Sequence, residues 1–128
     1  MEITMGMKGK SSTLVERQNT AKEMGSGSLL VYATPSMVAL MEAAACNAIA
    51  EALPEGQTSV GTEMHVSHIA ATPVGMEVHA EAEVVAVDGR LITYKIEAFD
   101  ESGKIGEASH KRALILTERF LDKTYVKL

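Results

Sequence analysis

Three side chains in the first 68 residues are of types that could do chemistry: Thr34, Glu42 and His68. A hydroxyl can donate to a carbonyl or oxyanion, a carboxylate out of place can be a working group, and an imidazole can act as acid or base near neutral pH. Glu42 stands out most, because it interrupts Pro35–Leu53, a run otherwise made largely of apolar and small residues. At about 100° per residue, Val38, Ala45 and Ile49 share its side of a helical wheel, while Glu51 lies about 180° away. If Glu51 faces water, Glu42 faces the apolar side, where an unpaired carboxylate costs several kcal/mol. The expectation is a buried carboxylate with either a structural partner or a task.

Each of these residues also has a plain structural reading. Thr34-Pro35 is the expected start of a helix, with Thr as N-cap and Pro at the first helical position, so the hydroxyl could do no more than cap. Its chemical alternative is to join the amides of the positive helix end in meeting a carbonyl or oxyanion. His68 could be a half-buried strand residue bonded to a backbone carbonyl, and Glu42 could bond the backbone or His68. Thr34 and Glu42 are eight residues apart, about 12 Å along a helix axis, so they cannot bond directly. A site using both must span a substrate or take one group from each of two chains. Gly61-Thr62 reads as a simple kink, or as a bulge or close backbone approach that aims an edge amide at a ligand. Arg112, with His110 two residues before it on the same strand face, could meet an anionic group, touch an acyl oxygen or pair with a glutamate.

The elements that must position these groups follow from periodicity. A first strand is expected at Ser11–Val15, extending as far as Gln18, then a flexible loop at Lys22–Ser28. The helix from Thr34 ends near Leu53, before Pro54 and Gly56. The rest reads as strand: Ser59–Ala70, Met76–Val87, Leu91–Phe99 and Ile105–Leu116, the last extending as far as Phe120. Asp88-Gly89 and Asp100–Gly103 form the turns. A helix apolar around most of its circumference must be covered on most sides. The fold expected is α+β: a long central helix wrapped by a five-stranded antiparallel sheet, the hot-dog arrangement, as one domain over residues 1–128 and as a homodimer or a tetramer built from it.

Composition narrows the function classes. With 46% apolar and 23% charged residues the chain is globular. A net charge of −5, no Trp and few other aromatics argue against nucleic-acid binding, although Lys111, Arg112, Arg119, Lys123 and Lys127 cluster late. The single Cys46 sits in the apolar helix and reads as a packed thiol. His65 and His68 lack the further ligands of a metal site, and neither a metal nor a cofactor is expected. Nothing reads as a signal peptide or a membrane span, so the expected setting is cytoplasmic and away from membranes.

Over about Leu30–Leu116 the chain resembles the fluoroacetyl-CoA thioesterase group of hot-dog thioesterases. The resemblance rests on Val31-Tyr32-Ala33-Thr34, Met37-Val38-Ala39-Leu40-Met41-Glu42, Gly61-Thr62, Val66 through Gly75, Ile105-Gly106 and Ser109-His110-Lys111-Arg112-Ala113. It implies catalytic roles for Thr34, Glu42 and His68, acyl-group contacts for Gly61 and Arg112, and hydrolysis of an acyl-CoA thioester. It leaves open whether Thr34 or an activated water attacks. The family's fluoroacetyl specialist carries an aromatic lid segment before its threonine. Lys22–Leu29 has no Phe, and Pro35 replaces a small flexible residue, so thioesterase chemistry is expected without clear fluoroacetyl specificity. A hot-dog hydratase would want an Asp–His pair, yet no Asp precedes Asp88. A non-catalytic acyl-CoA or small-ligand binding dimer is the competing reading.

Overall fold

The computed structural model describes residues 2–128. Strand β1 (Lys8–Leu14) is followed by a single helical turn α1 (Ala21–Met24) and the long helix α2 (Thr34–Ile49). Strands β2 (Gln57–His68), β3 (Glu77–Asp88), β4 (Leu91–Asp100) and β5 (Gly103–Leu116) come next, then helix α3 (Thr117–Tyr125). The strands form one antiparallel sheet in the order β1-β3-β4-β5-β2, with β1 and β2 at its edges.

The sheet curls around α2 because each strand turns one apolar row inward. On β3, Val78, Ala80, Ala82 and Val84 are buried while Glu77, Glu81 and Glu83 are exposed, the period-2 alternation read from the sequence. Ile92, Tyr94, Ile96 and Ala98 on β4 meet Met37, Met41, Ala44 and Ile49 of α2 in the same core. The alanines let helix and sheet approach closely. At Gly9 the approach is closer still: a methyl there would collide with the Ala48 amide and the Ala44 carbonyl.

Several expected boundaries move. β1 begins at Lys8 and ends at Leu14, because its ladder with β3 starts at Lys8↔Glu83. The Lys22–Ser28 loop opens with the end of α1, capped by the Thr20 side chain and closed by Gly25 at φ 74°. Thr34 is not the N-cap of α2: that position is Ala33, Thr34 is the first helical residue, and no side chain caps the end. The helix stops at Ile49 and a 3₁₀ turn over Ala50–Ala52 completes the run. The last strand ends at Leu116, where α3 takes over.

Candidate active site

Thr34 and His68 are brought together by the segments around them. Val31 bridges Pro73, the Tyr32 amide donates to the Thr72 carbonyl, and the Ala33 amide donates to the Asn19 carbonyl. The start of α2 is thereby held against the end of β2. Thr34 Oγ1 then lies 2.8 Å from His68 Nδ1. The hydroxyl serves the imidazole, not the helix end.

Burial holds the His68 pKa below its ordinary value, with the backbone of Ala70 opposing. The imidazole is therefore neutral at pH 7. Where the hydroxyl donates to Nδ1, the ring proton sits on Nε2; that nitrogen is buried and has no hydrogen-bond partner among the described residues. A cavity of about 290 Å³ opens beside the pair, lined by Ser26, Tyr32, Thr34, His68 and Ile69–Ala71. This is the geometry of a hydroxyl next to its base, facing a space for a ligand.

Glu42 belongs to a second cluster. Its Oε2 accepts from Arg112 Nη1 at 2.8 Å. Arg112, only 6% exposed, also donates from Nε to Ser59 Oγ at 2.8 Å and from Nη2 to the Ser59 carbonyl at 3.1 Å. His110 Nε2 lies 3.2 Å from Arg112 Nη1 and 3.9 Å from Glu42 Oε2. Gly61 closes the cluster from β2: a Cβ there would stand 2.6 Å from Glu42 Oε2. The expectation of a buried Glu42 is corrected, since its side chain is 41% exposed in the single chain. It sits at the margin where α2 meets the β2–β5 edge, and its partner is Arg112, not His68 or the backbone.

Within one chain the two clusters stay apart. Thr34 and Glu42 are about 12 Å apart along α2. His68 and Gly61 are separated by seven residues, on the order of 20 Å along β2. An odd separation should put them on opposite faces of the sheet. The register against β5 shifts between Gly61 and Glu63, and this bulge resets the alternation. Both residues consequently face α2, one touching Glu42 and the other Thr34.

Ser59 and His110 complete the Arg112 cluster, and sequence reading had assigned neither a role there. The spacing of His110 and Arg112 did place them on one face. Nothing local marks Ser59, which reaches Arg112 through strand register. His65, considered with His68 as a metal pair, bonds Glu63 at 2.6 Å instead. Among the described residues no cluster of three His, Cys, Asp or Glu side chains is placed to hold a metal, and no helix is long and apolar enough to cross a membrane.

The family described as fluoroacetyl-CoA-specific thioesterase matches residues 15–118. The fluoroacetyl-CoA thioesterase of Streptantibioticus cattleyicolor is 42% identical over 97 residues, covering 76% of this chain and 70% of that protein. Among solved structures, the fluoroacetyl-CoA thioesterase FlK superposes with a TM-score of 0.93 at 33% identity, covering 100% of this chain and 99% of that one. A mutant of FlK in complex with fluoroacetate and CoA gives 0.86 at 34% identity, covering 92% and 99%. A thioesterase superfamily member from Thermus thermophilus gives 0.84 at 26% identity, covering 99% and 98%.

Proposed function

The chain belongs to the fluoroacetyl-CoA-specific thioesterase family, and on that premise we propose how it hydrolyses an acyl-CoA thioester to a carboxylic acid and free CoA. The observation that carries the reading is the 2.8 Å contact between Thr34 Oγ1 and His68 Nδ1. The Thr34 oxygen attacks the thioester carbonyl as its proton passes to Nδ1. The resulting oxyanion faces the start of α2, where no side chain caps the first turn and the Thr34 and Ser36 amides have no carbonyl partner within the helix. Collapse expels the CoA sulfur, which takes the proton back from His68 and leaves an acyl ester on Thr34. Glu42 then takes a proton from water, whose oxygen attacks the ester; as the ester breaks, the Thr34 oxygen leaves with the proton returned by Glu42, releasing the acid and restoring the hydroxyl.

The last step needs a carboxylate close to Thr34, and Glu42 of the same chain is too far along the helix. A second copy supplies one. β2 is a 12-residue edge strand, and an open edge of that length is a template for pairing. Two copies paired antiparallel about a two-fold axis near His65 set His68 of one opposite the Gly61–Thr62 bulge of the other. Glu42 and Arg112 of the partner subunit arrive with that bulge. The site then takes Thr34 and His68 from one protomer and Glu42, Gly61 and Arg112 from its partner, with Gly61 leaving room for the Glu42 carboxylate beside the acyl group.

In place of an aromatic lid, Lys22–Leu29 holds the end of α1, Gly25 and an exposed Leu29. The site is therefore more open than one under an aromatic lid and less able to select fluoroacetyl over acetyl. Cys46, the only cysteine, suits a reducing cytoplasm.

The test is complementation on a panel of acyl-CoA thioesters. His68→Ala and Glu42→Gln each inactivate the homodimer. Mixed after dissociation in equal amounts, they regain about a quarter of wild-type activity, because half the dimers are mixed and each of these holds one intact site. No recovery in mixed dimers, with an active wild type, would overturn the shared site. A wild type that binds acyl-CoA and turns over no member of the panel would instead support the binding reading.

A further inference from the structure

His110 is 1% exposed and has no task in the reaction as set out above. Its Nδ1 lies 2.8 Å from the Glu63 carbonyl, which can only accept, so Nδ1 carries the ring proton. Its Nε2 lies 3.2 Å from Arg112 Nη1, which can only donate, so Nε2 accepts. The two contacts together select the neutral imidazole with its proton on Nδ1.

We infer that His110 is a positioning residue for the thioesterase reaction: its Nε2 fixes the Nη1 end of Arg112 and thereby aims the Arg112–Glu42 pair at Gly61. The inference rests on the catalytic reading of Glu42. Arg112 Nε and Nη2 are both held by Ser59, and two acceptors on one residue leave the guanidinium plane free to hinge about that edge. His110 supplies the third point. One Nη1 hydrogen goes to His110 and the other is directed at Glu42 Oε2. The groups facing the imidazole are Glu42 from α2, Arg112 from its own strand, the Glu63 carbonyl from β2 and the Tyr94 ring from β4, stacked at 5.9 Å. Cys46 of α2 acts on Tyr94 behind them. Protonation at Nε2 would replace the acceptor with a second cationic donor beside Arg112, and Glu42 would have two partners competing for it.

Two substitutions separate the two bonds. H110Q keeps an amide oxygen within reach of Arg112, and H110N keeps only a donor to the Glu63 carbonyl. The expected result is that H110Q retains turnover within ~5-fold and loses part of the acid limb of its pH profile, while H110N loses ~30–100-fold in kcat, the size of a misplacement of about 1 Å, with KM little changed. Equal losses in both, tracking a common fall in Tm, would make His110 merely structural. Long-range proton–nitrogen NMR on the intact wild type reads the tautomer without activity: the proton on Nδ1 supports the inference and the proton on Nε2 overturns it. If no thioester is turned over, the thioesterase reading fails on that arm. Slowed exchange of the Arg112 Nη1 protons, lost in H110N and kept in H110Q, then still decides the geometry.

Discussion

Gly61→Ala gives the sharpest test of where Glu42 must be. The added methyl carbon would stand 2.6 Å from Glu42 Oε2, and 3.3 Å from both Arg112 Nη1 and His110 Cε1. Comfortable contact needs about 3.5 Å, so one neighbour must retreat. Arg112 and His110 are buried and held by several bonds, and the carboxylate, at the end of a flexible side chain, moves by about 1 Å. A displacement of that size in a reacting group costs ~100-fold in rate, or about 2.7 kcal/mol of transition-state stabilisation. The fold scarcely notices. Gly61 is not among the glycines with positive φ, so alanine suits the backbone and gains about 0.4–1 kcal/mol from the unfolded chain. A weakened half-exposed ion pair gives back about 0–1 kcal/mol. The expected outcome is kcat/KM down ~100-fold by continuous thiol release, with Tm within about 5 °C of wild type. The double variant with Glu42→Gln should be no worse than Glu42→Gln alone, since both changes act through one carboxylate. Wild-type kcat/KM in Gly61→Ala, or full additivity in the double variant, would refute the reasoning.

Glu42→Gln alone should lower turnover at least ~100-fold, the usual size of a lost acid or base, with an unchanged circular dichroism spectrum. Arg112→Lys cannot reproduce a planar fork that reaches Ser59, His110 and Glu42 at once. It should lose activity and about 1–3 kcal/mol of stability, read as a fall in the denaturation midpoint. Burial lowers the pKa of both His68 and His110 below their ordinary 6.5. The folded chain therefore binds fewer protons than the unfolded one just below that value. Their contribution to stability is complete above about pH 6.5 and is lost as pH falls from there through the folded pKa values. Urea unfolding between pH 7.5 and 5.0 should show this slope, and H110Q should flatten it.

Much of the sheet was legible because period-2 alternation is written into β3 and β4 residue by residue. The errors lie where distant contacts decide. Thr34 has every local mark of a cap, yet the pairing of Val31 with Pro73 and of Tyr32 with Thr72 sets its hydroxyl on His68. Glu42 was correctly marked as unusual and wrongly placed in the core. A helical wheel reports direction around an axis, not where a curled sheet ends. α3 went unread as a helix although Phe120, Leu121 and Tyr125 share one side of it: it is nine residues long, follows β5 without a break and buries no residue.

The β2 bulge was legible only as one alternative at Gly61-Thr62, since it is decided by register with β5, and the facing of both half-sites depends on it. Without it, Gly61 and His68 would face opposite sides of the sheet, and no pairing of two β2 edges could bring both onto one substrate. With it, both point at α2 from positions separated by about 20 Å along the strand, too far to share a ligand within one chain. An open edge strand, two half-sites facing the same helix and a bulge that aligns them are together what a two-fold pair requires. The division of Thr34 from Glu42, first met as a spacing of eight residues, is what the proposed two-fold pair resolves.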